Sequence, residues 1–446
     1  MKISNSSRPI PRRRFLQYGG LAVAPMILPS RLFGDLSPSN TLHVGIVGAG
    51  SRSTAHVEMF SRIPGVRVVA VCDVWPKSAA QRKQSVDSLN GDSHCKTYHD
   101  YRDMIADPEL DIVSVVVPDH WHALVATEAA NRGKHVYLEK PFSYTVEEGR
   151  AIVEAVKRNG VKLQHGTQQR SNRYFQRATY LARHGFIGEV NKVYSTANIF
   201  KCQEGDPTPV SPPEGLDYDF FTGPAPVTPY VEGLAEWRPT APAGWYFIRN
   251  FSGGWITTWG AHNIDSAQWI LGKDNEAPRT IEAKGTFPEE GACETVWEWY
   301  SEFTYADRKK LIFASTNRPE IPGKLGYIVA VGDEGWVAAT RNSITSNPPH
   351  LTQMVWPKDD PEFSLLQSES DLDHFENFID AIRQGKRQNA PAEIGHLSTT
   401  LCHLANIGIE VQRPLHWDGQ EERFVNDAHA DRFLSRPMRA PWSLEV

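Results

Sequence analysis

The sequence predicts an α/β protein, with a doubly wound parallel sheet first and a second region of long strands after it. Three observations carry this reading. A strand, a glycine turn and a helix follow one another over residues 42–60. Short apolar runs then alternate with helical patterns as far as residue 163. Beyond Gln168 the pattern changes to long strands with no helices between them. Strands alternating with helices form a parallel sheet covered on both faces. At 446 residues, 40% hydrophobic and 22% charged, the chain can bury full cores. That excludes a disordered chain, a collagen and a coiled coil.

The first thirty residues hold Lys2, Arg8, Arg12, Arg13 and Arg14 and no acid. Arg12-Arg13-Arg14-Phe15-Leu16 precedes a weakly apolar run, Tyr18 to Leu28, and resembles a twin-arginine export signal. Pro11 stands where that signal usually has Ser or Thr. Residues 1–34 are therefore expected to be a leader, and the protein periplasmic or secreted. That route carries folded proteins, which suits one that loads its cofactor in the cytoplasm. Net charge is −6, and −6 − 5 = −11 without the five leader cations, so nucleic acid is not an expected partner. No run of about 18 apolar residues occurs, so no membrane span is expected. The five cysteines are scattered with no CxxC, so neither a zinc site nor a disulfide framework is signalled. Buried small side chains are the expectation for them.

Residues 41–168 read as a Rossmann dinucleotide-binding domain. Leu42 to Val47 is a strand ending in Gly48-Ala49-Gly50-Ser51-Arg52-Ser53. Gly48 permits the tight turn, and Gly50 lets backbone approach a pyrophosphate at a helix N-terminus. The third position is Ser53 rather than glycine. A second strand, Val66 to Val71, leads to Asp73. A carboxylate there accepts from ribose hydroxyls and repels a 2′-phosphate, which favours NAD over NADP. A short helix (Tyr101 to Ala106), a strand (Asp111 to Val117), a helix (Ala123 to Arg132) and a strand (His135 to Leu138) follow. Thr145 with Glu148 is a capping-box pattern for a helix ending at Gly160. Ligands sit at the carboxyl ends of such strands, where Pro118, Asp119, His122, Glu139 and Lys140 fall.

Residues 169–446 read as a substrate and oligomerisation domain whose C-terminal segment can pack back on the first. Long strands are expected at Val190 to Phe200, Thr280 to Thr286, Thr295 to Thr304 and Lys310 to Ala314. The Pro-rich stretch 206–242 reads as a surface excursion outside the core. Five tryptophans, Trp237, Trp245, Trp255, Trp259 and Trp269, lie within 33 positions, and aromatic faces suit sugar C–H surfaces.

VGIVGAGSR, VVPDHWHA (116–123), Glu139-Lys140-Pro141 and GGWITTWGAHNIDSAQWILG (253–272) together resemble the glucose–fructose oxidoreductase / inositol dehydrogenase / rhizopine-catabolism (Gfo/Idh/MocA) family. GHLSTTLCHLANIG and RAPWSL further resemble a secreted twin-arginine subgroup. The resemblance implies a C-terminal α/β domain with a largely antiparallel open sheet covering the nicotinamide, and a homo-oligomer, dimer or tetramer. It implies Lys140 as a catalytic residue near nicotinamide and substrate hydroxyl, and His262 as proton acceptor. The family's Asp-x-x-x-His motif is Thr258-Trp259-Gly260-Ala261-His262 here, so a hydroxyl replaces the carboxylate. The cofactor-facing set is Gly48, Gly50, Ser51, Arg52, Asp73, Pro118, His122, Glu139 and Lys140. Gln168, Arg170, Arg249, Thr258, Trp259 and Asp265 are the substrate-side candidates. Asp265, three residues after His262, shares its side if the segment is helical, and there it either orients the imidazole or is a helix-surface acid. His396, His403 and Asn406 share a helix face and read as packing. No metal site is signalled.

The expected function is an NAD-dependent oxidoreductase acting on a carbinol of a sugar, sugar derivative or cyclitol, with the nucleotide tightly bound. Two alternatives stay open. One is a glycosidase or lyase that oxidises the sugar transiently, eliminates and re-reduces it. The other is a non-catalytic sugar-binding or assembly protein on the same frame.

Overall fold

The structure, a computed structural model, describes residues 41–197, 205–235, 244–315, 328–357, 363 and 372–444. The leader lies outside the described residues.

Residues 42–165 form a parallel six-stranded sheet. In chain order the elements are β1 (Leu42–Val47), α1 (Ser53–Arg62), β2 (Val66–Cys72), α2 (Pro76–Asn90), β3 (Lys96–Tyr98), α3 (Tyr101–Ile105), β4 (Ile112–Val115), α4 (His122–Asn131), β5 (His135–Leu138), α5 (Val146–Asn159) and β6 (Leu163–His165). The strand order β3-β2-β1-β4-β5-β6 reverses direction at β1, which opens a crevice between the ends of β1 and β4. The central strands β1, β2 and β4 are rich in Val and Ile because helices cover both faces, and every residue of β4 is buried. Thr145 caps α5 by accepting from the Glu148 amide. The reciprocal Glu148 carboxylate bond goes to the Tyr144 amide, one residue earlier than in a standard box.

The second sheet has nine strands: β7 (Val190–Ala197), β8 (Thr280–Thr286), β9 (Glu298–Thr304), β10 (Lys310–Ser315), β11 (Ile328–Gly332), β12 (Trp336–Ala339), β13 (Ile344–Asn347), β14 (Leu415–Asp418) and β15 (Arg423–Phe424). Among its described strand pairs, β7–β10 alone is parallel. The expectation of strands with no helices among them is corrected. Between β6 and β7 lies α6 (Arg173–Arg183), and between β7 and β8 lies α8 (Gly254–Leu271), after the short α7 (Tyr218–Thr222). In α8 every residue but Trp255 and Trp259 is buried, because the helix is held between the sheet and α10 (Ala392–Val411). A helix buried all round, with polar and apolar residues alike turned into contacts, gives no amphipathic period from which to recognise it. A Cβ on Gly260 would stand 2.7 Å from the Cys402 sulfur, so the α8–α10 contact requires glycine there.

The chain then returns to the first sheet. Phe375 and Phe378 of α9 (Leu372–Gln384) join its core, and Phe375 stacks on Tyr137 of β5 with ring centres 4.4 Å apart. The excursion at 206–242 also departs from expectation. Its described part holds a small apolar cluster, Phe221, Ala225, Tyr230, Val231 and Leu234 against Ile248 and Phe251. Cys72, Cys95 and Cys402 are buried free thiols, as expected. Cys293 is disulfide-bonded, which corrects the expectation of no disulfide. Its partner lies outside the described residues.

Candidate active site

A cavity of about 720 Å³ opens at the carboxyl ends of β1, β2, β4 and β5, bounded on the far side by α8 and the excursion. Its volume falls in the range of ligand pockets.

At one end, Gly48 has φ +96°, and a Cβ there would stand 2.2 Å from the Val116 carbonyl oxygen. Only glycine allows β1 to turn this close to β4. Gly50 has open space beside it, and with Ser51 and Arg52 it presents the N-terminus of α1 to the cavity. The Ser53 hydroxyl donates to the Gly50 carbonyl at 2.7 Å, which explains how a serine fits where glycine is usual. Asp73 accepts from the Ala49 amide at 2.7 Å and the Trp75 amide at 2.8 Å. These bonds fix its carboxylate at the wall, beside the glycine turn. Burial nevertheless raises its pKa, against the pull of the two amides. This end fits the adenosine and pyrophosphate of a dinucleotide, with a carboxylate where a 2′-phosphate would be repelled.

The centre is built on the turn after β5. Burial alone would raise the Glu139 pKa, but Arg52 and His56 outweigh it and hold the carboxyl well below its usual range. Glu139 accepts from Arg52 Nε at 2.8 Å, and His56 Nε2 lies 2.9 Å away. His56 Nδ1 lies 2.8 Å from the Ser114 hydroxyl, so a neutral ring donates through Nε2 and accepts at Nδ1. Lys140 follows on the cavity wall, with its Nζ 5.3 Å from the centre of the Tyr246 ring. Among the described residues its ammonium has no hydrogen-bond or ion-pair partner. Burial lowers its pKa, while Glu139 and Asp119 oppose this. Asp119 is fully buried behind the wall. One carboxyl oxygen accepts from Ser252 at 2.7 Å and the other has no partner. Burial pushes this carboxyl up to about 7.

Across the cavity, α8 presents Trp255, Thr258, Trp259 and His262 on one face. The Thr258 hydroxyl and His262 Nδ1 are buried without partners. Burial first, then the charges of Arg341 and Lys140, hold the His262 pKa well below its ordinary value. The ring is therefore neutral near pH 7, with an unprotonated nitrogen able to take a proton.

The structure thus gathers Gly48, Gly50, Ser51, Arg52, Asp73, Pro118, Glu139, Lys140, Gln168, Thr258, Trp259 and His262 around one cavity. Four other expected residues are placed elsewhere. His122 is fully buried, with its ring nitrogens 2.6 Å from the Pro141 carbonyl and 2.9 Å from the Val117 carbonyl. It clamps the turn after Lys140 to the turn after β4 and faces no ligand. Arg170 does not line the cavity. Its Nε donates to both Asp265 oxygens at 2.9 and 2.8 Å, and Asp274 takes a further bond at 2.8 Å. Asp265 consequently orients this guanidinium and not His262. Arg249 lies in a separate cavity of about 280 Å³ and pairs with Glu410. Trp245 and Trp255 of the tryptophan cluster line the main cavity too, and so do Tyr246, Gln169, Asn172 and Arg341, which the sequence does not mark as site residues. Arg341 had no signal, since it sits in an ordinary hairpin turn nearly 80 residues beyond His262. Among the described residues no group of three metal-ligating side chains occurs, and no helix is long and apolar enough to cross a membrane.

Two family models match the chain: "Oxidoreductase family, NAD-binding Rossmann fold" over residues 42–167, and "Oxidoreductase family, C-terminal alpha/beta domain" over residues 199–444. The chain is 27% identical to the uncharacterized oxidoreductase YrbE of Bacillus subtilis over 357 residues, covering 78% of this chain and 87% of that protein. It is 30% identical over 174 residues to a glycosyl hydrolase family 109 protein of Shewanella baltica, covering 33% of this chain and 37% of that one. A solved structure of the WlbA dehydrogenase from Bordetella pertussis, in complex with NADH and UDP-GlcNAcA, superposes with a TM-score of 0.62 at 19% identity, covering 85% of this chain and 98% of that one. Levoglucosan dehydrogenase in complex with NADH and levoglucosan gives 0.62 at 17% identity, covering 84% of this chain and 99% of that one.

Proposed function

The chain belongs to the Gfo/Idh/MocA family and is an NAD-binding oxidoreductase; from that premise we propose that it transfers hydride between tightly held NAD and a carbinol carbon of a sugar, sugar derivative or cyclitol. The observation that carries the proposal is the unpaired Lys140 ammonium on the same cavity wall system as a neutral, unpartnered His262. Bound NAD would supply the hydride acceptor. His262 takes the hydroxyl proton. Lys140 places positive charge where the alkoxide develops. The Thr258 hydroxyl, having no protein partner, orients a neighbouring sugar hydroxyl, and Trp255 and Trp259 offer aromatic faces to the ring. The glycine turn and Asp73 hold the adenosine half, so Gly48, Gly50, Ser51, Arg52, Asp73, Pro118 and Glu139 serve the cofactor.

A second reading has a specific observation behind it. Thr258 replaces the carboxylate that the family motif carries, and a glycosyl hydrolase family 109 protein is among the relatives. A redox-neutral cycle, in which the sugar is oxidised, eliminates its aglycone and is re-reduced, uses the same residues and returns NAD unchanged. Purified protein with aryl glycosides and no added acceptor separates the two. Net NADH supports simple dehydrogenation, and aglycone release without NADH supports the cycle. Denatured supernatant carrying NAD supports the first half of the proposal, and NADP counts against the role of Asp73.

The twin-arginine leader supports export to the periplasm or beyond, and the disulfide at Cys293 suits an oxidising compartment. A homo-oligomer, dimer or tetramer, belongs to the same proposal. Fractionation of the native host and light scattering test these two points.

A further inference from the structure

The proposed reaction leaves one buried carboxyl beside the site without a role. Asp119 stands in the turn after β4, and its surroundings are fixed. The Ser252 hydroxyl donates to one of its oxygens at 2.7 Å, and the Ser252 oxygen in turn accepts from the Gly254 amide at 3.1 Å. The hydroxyl proton is thereby aimed at Asp119. The next residue is anchored as well. The His120 amide donates to the Phe251 carbonyl at 3.3 Å, and Arg436 donates to the His120 carbonyl at 3.0 Å. The second Asp119 oxygen has no partner. A buried acceptor left open in so fixed a frame is costly unless something meets it.

Lys140 is the cation that matches it. His122 ties together the turns that carry the two residues, with one ring nitrogen 2.6 Å from the Pro141 carbonyl and the other 2.9 Å from the Val117 carbonyl. Burial drives Lys140 toward the neutral amine, and the charges of Glu139 and Asp119 oppose this. Glu139 is already engaged by Arg52 and His56 on the side of α1. On α8, where the family motif carries an acid, there is Thr258. Of the two carboxyl groups, Asp119 is therefore the one with an oxygen to offer. The lysine stem is four carbons long and rotates freely, so Nζ can approach that oxygen without movement of the turn. The other titratable groups near Asp119 are His120, Tyr144 and Tyr246, and burial keeps all three neutral. The nearby cation Arg436 pairs with Glu148 at 2.9 Å.

We propose that Asp119 is a positioning residue for Lys140: its open oxygen is the counter-ion that keeps the ammonium charged in the dehydrated cavity, and the Ser252 hydroxyl holds the carboxylate in its ionised form. The purpose of the pair rests on the oxidoreductase reading, since a lysine that loses its proton has no charge to offer a developing alkoxide. The pairing itself is measurable without turnover. A buried cation and a buried anion are each costly alone, and each here supplies what the other lacks. Asp119 acts through Lys140 and touches neither sugar nor cofactor.

The test is competitive labelling of the full chain with trace acetic anhydride between about pH 6 and pH 11, with the Lys140 peptide followed by mass spectrometry. The midpoint of labelling reports where the Lys140 ammonium loses its proton. Asp119→Asn is expected to lower that midpoint by about one pH unit or more, which is about tenfold more free amine at a given pH below it. Ser252→Ala is expected to move it the same way by less. A midpoint unmoved by Asp119→Asn overturns the proposal. Should that variant yield no soluble protein, Ser252→Ala decides alone: a lowered midpoint supports the pairing and an unmoved one overturns it. The same samples are loaded with NAD and mixed with glucose, galactose, N-acetylglucosamine and myo-inositol. For any of these that reduces bound NAD, Asp119→Asn is expected to move the alkaline limb of the rate profile to lower pH by the same interval, with the acid limb unmoved. A merely structural loss lowers the rate without moving the limb, and that result counts against the proposal. A lowered midpoint in protein that binds no NAD, even when supplied with it, keeps the pairing and defeats the oxidoreductase reading. An unmoved midpoint in protein that reduces NAD defeats the pairing alone.

Discussion

Replacing Asp119 by Asn gives a pH-dependent stability change whose sign and size follow from the structure. The carboxyl is fully buried, one oxygen is unpartnered, and its pKa rises from 3.8 to about 7. Burial is the main cause. Ser252 and Lys140 pull the other way without compensating for it. Between about pH 4 and pH 7 the folded protein keeps a proton that the unfolded chain has released. Stability from this group is therefore fully present below about pH 4 and is lost as pH rises through about 7. The difference between the unfolded and folded pKa corresponds to roughly 4 kcal/mol, as an order of magnitude. Asn cannot ionise, and its carbonyl still accepts from Ser252. Relative to wild type, Asp119→Asn is expected to gain stability between pH 4.5 and pH 8, by an amount approaching roughly 4 kcal/mol. Urea denaturation of nucleotide-free protein at several pH values measures it. A wild-type-to-variant difference that stays constant across that range refutes the reasoning.

Gly48→Ala forces a Cβ to within 2.2 Å of the Val116 carbonyl at a positive φ. It is expected to weaken NAD binding by at least about a hundredfold and to lower stability by about 3 kcal/mol, read by calorimetry and by denaturation. Asp265→Asn leaves the Arg170 charge buried with Asp274 as its remaining acid partner, and is expected to cost about 3–5 kcal/mol in urea. A loss of activity with stability unchanged would restore Asp265 to the active site. Thr258→Asp brings a carboxylate one helical turn from His262, which raises the imidazole pKa. The acid limb of the kcat/KM profile is expected to move to higher pH, and a profile that does not move counts against His262 as the proton acceptor.

The first sheet was legible because its signals are local. Gly48, Asp73 and Lys140 each end a strand, and ligands collect at strand ends. The substrate half was less so. The α8 helix is buried on nearly every side and mixes polar with apolar residues, so its helical period is hidden, although the motif ending at His262 still marks its functional face. Asp265 and Arg170 were assigned to the pocket because charged residues near a motif invite that reading. The two choose each other, since a buried guanidinium and carboxylate are each costly alone. His122 was one residue from the wall, and a sequence does not show which way a ring turns. Arg341 and Asn172 meet only through pairing of chain segments 169 positions apart, a contact that no local pattern records. The cysteine count hid a disulfide because five scattered cysteines carry no spacing signal.

The central claim is that the Lys140 ammonium faces the reacting carbon beside bound NAD. The most direct test is the single-turnover rate at which bound NAD is reduced by the best-binding sugar, in wild type and in Lys140→Met. A fall of at least about a hundredfold with NAD occupancy retained is the predicted result. An unchanged rate at full occupancy would contradict it.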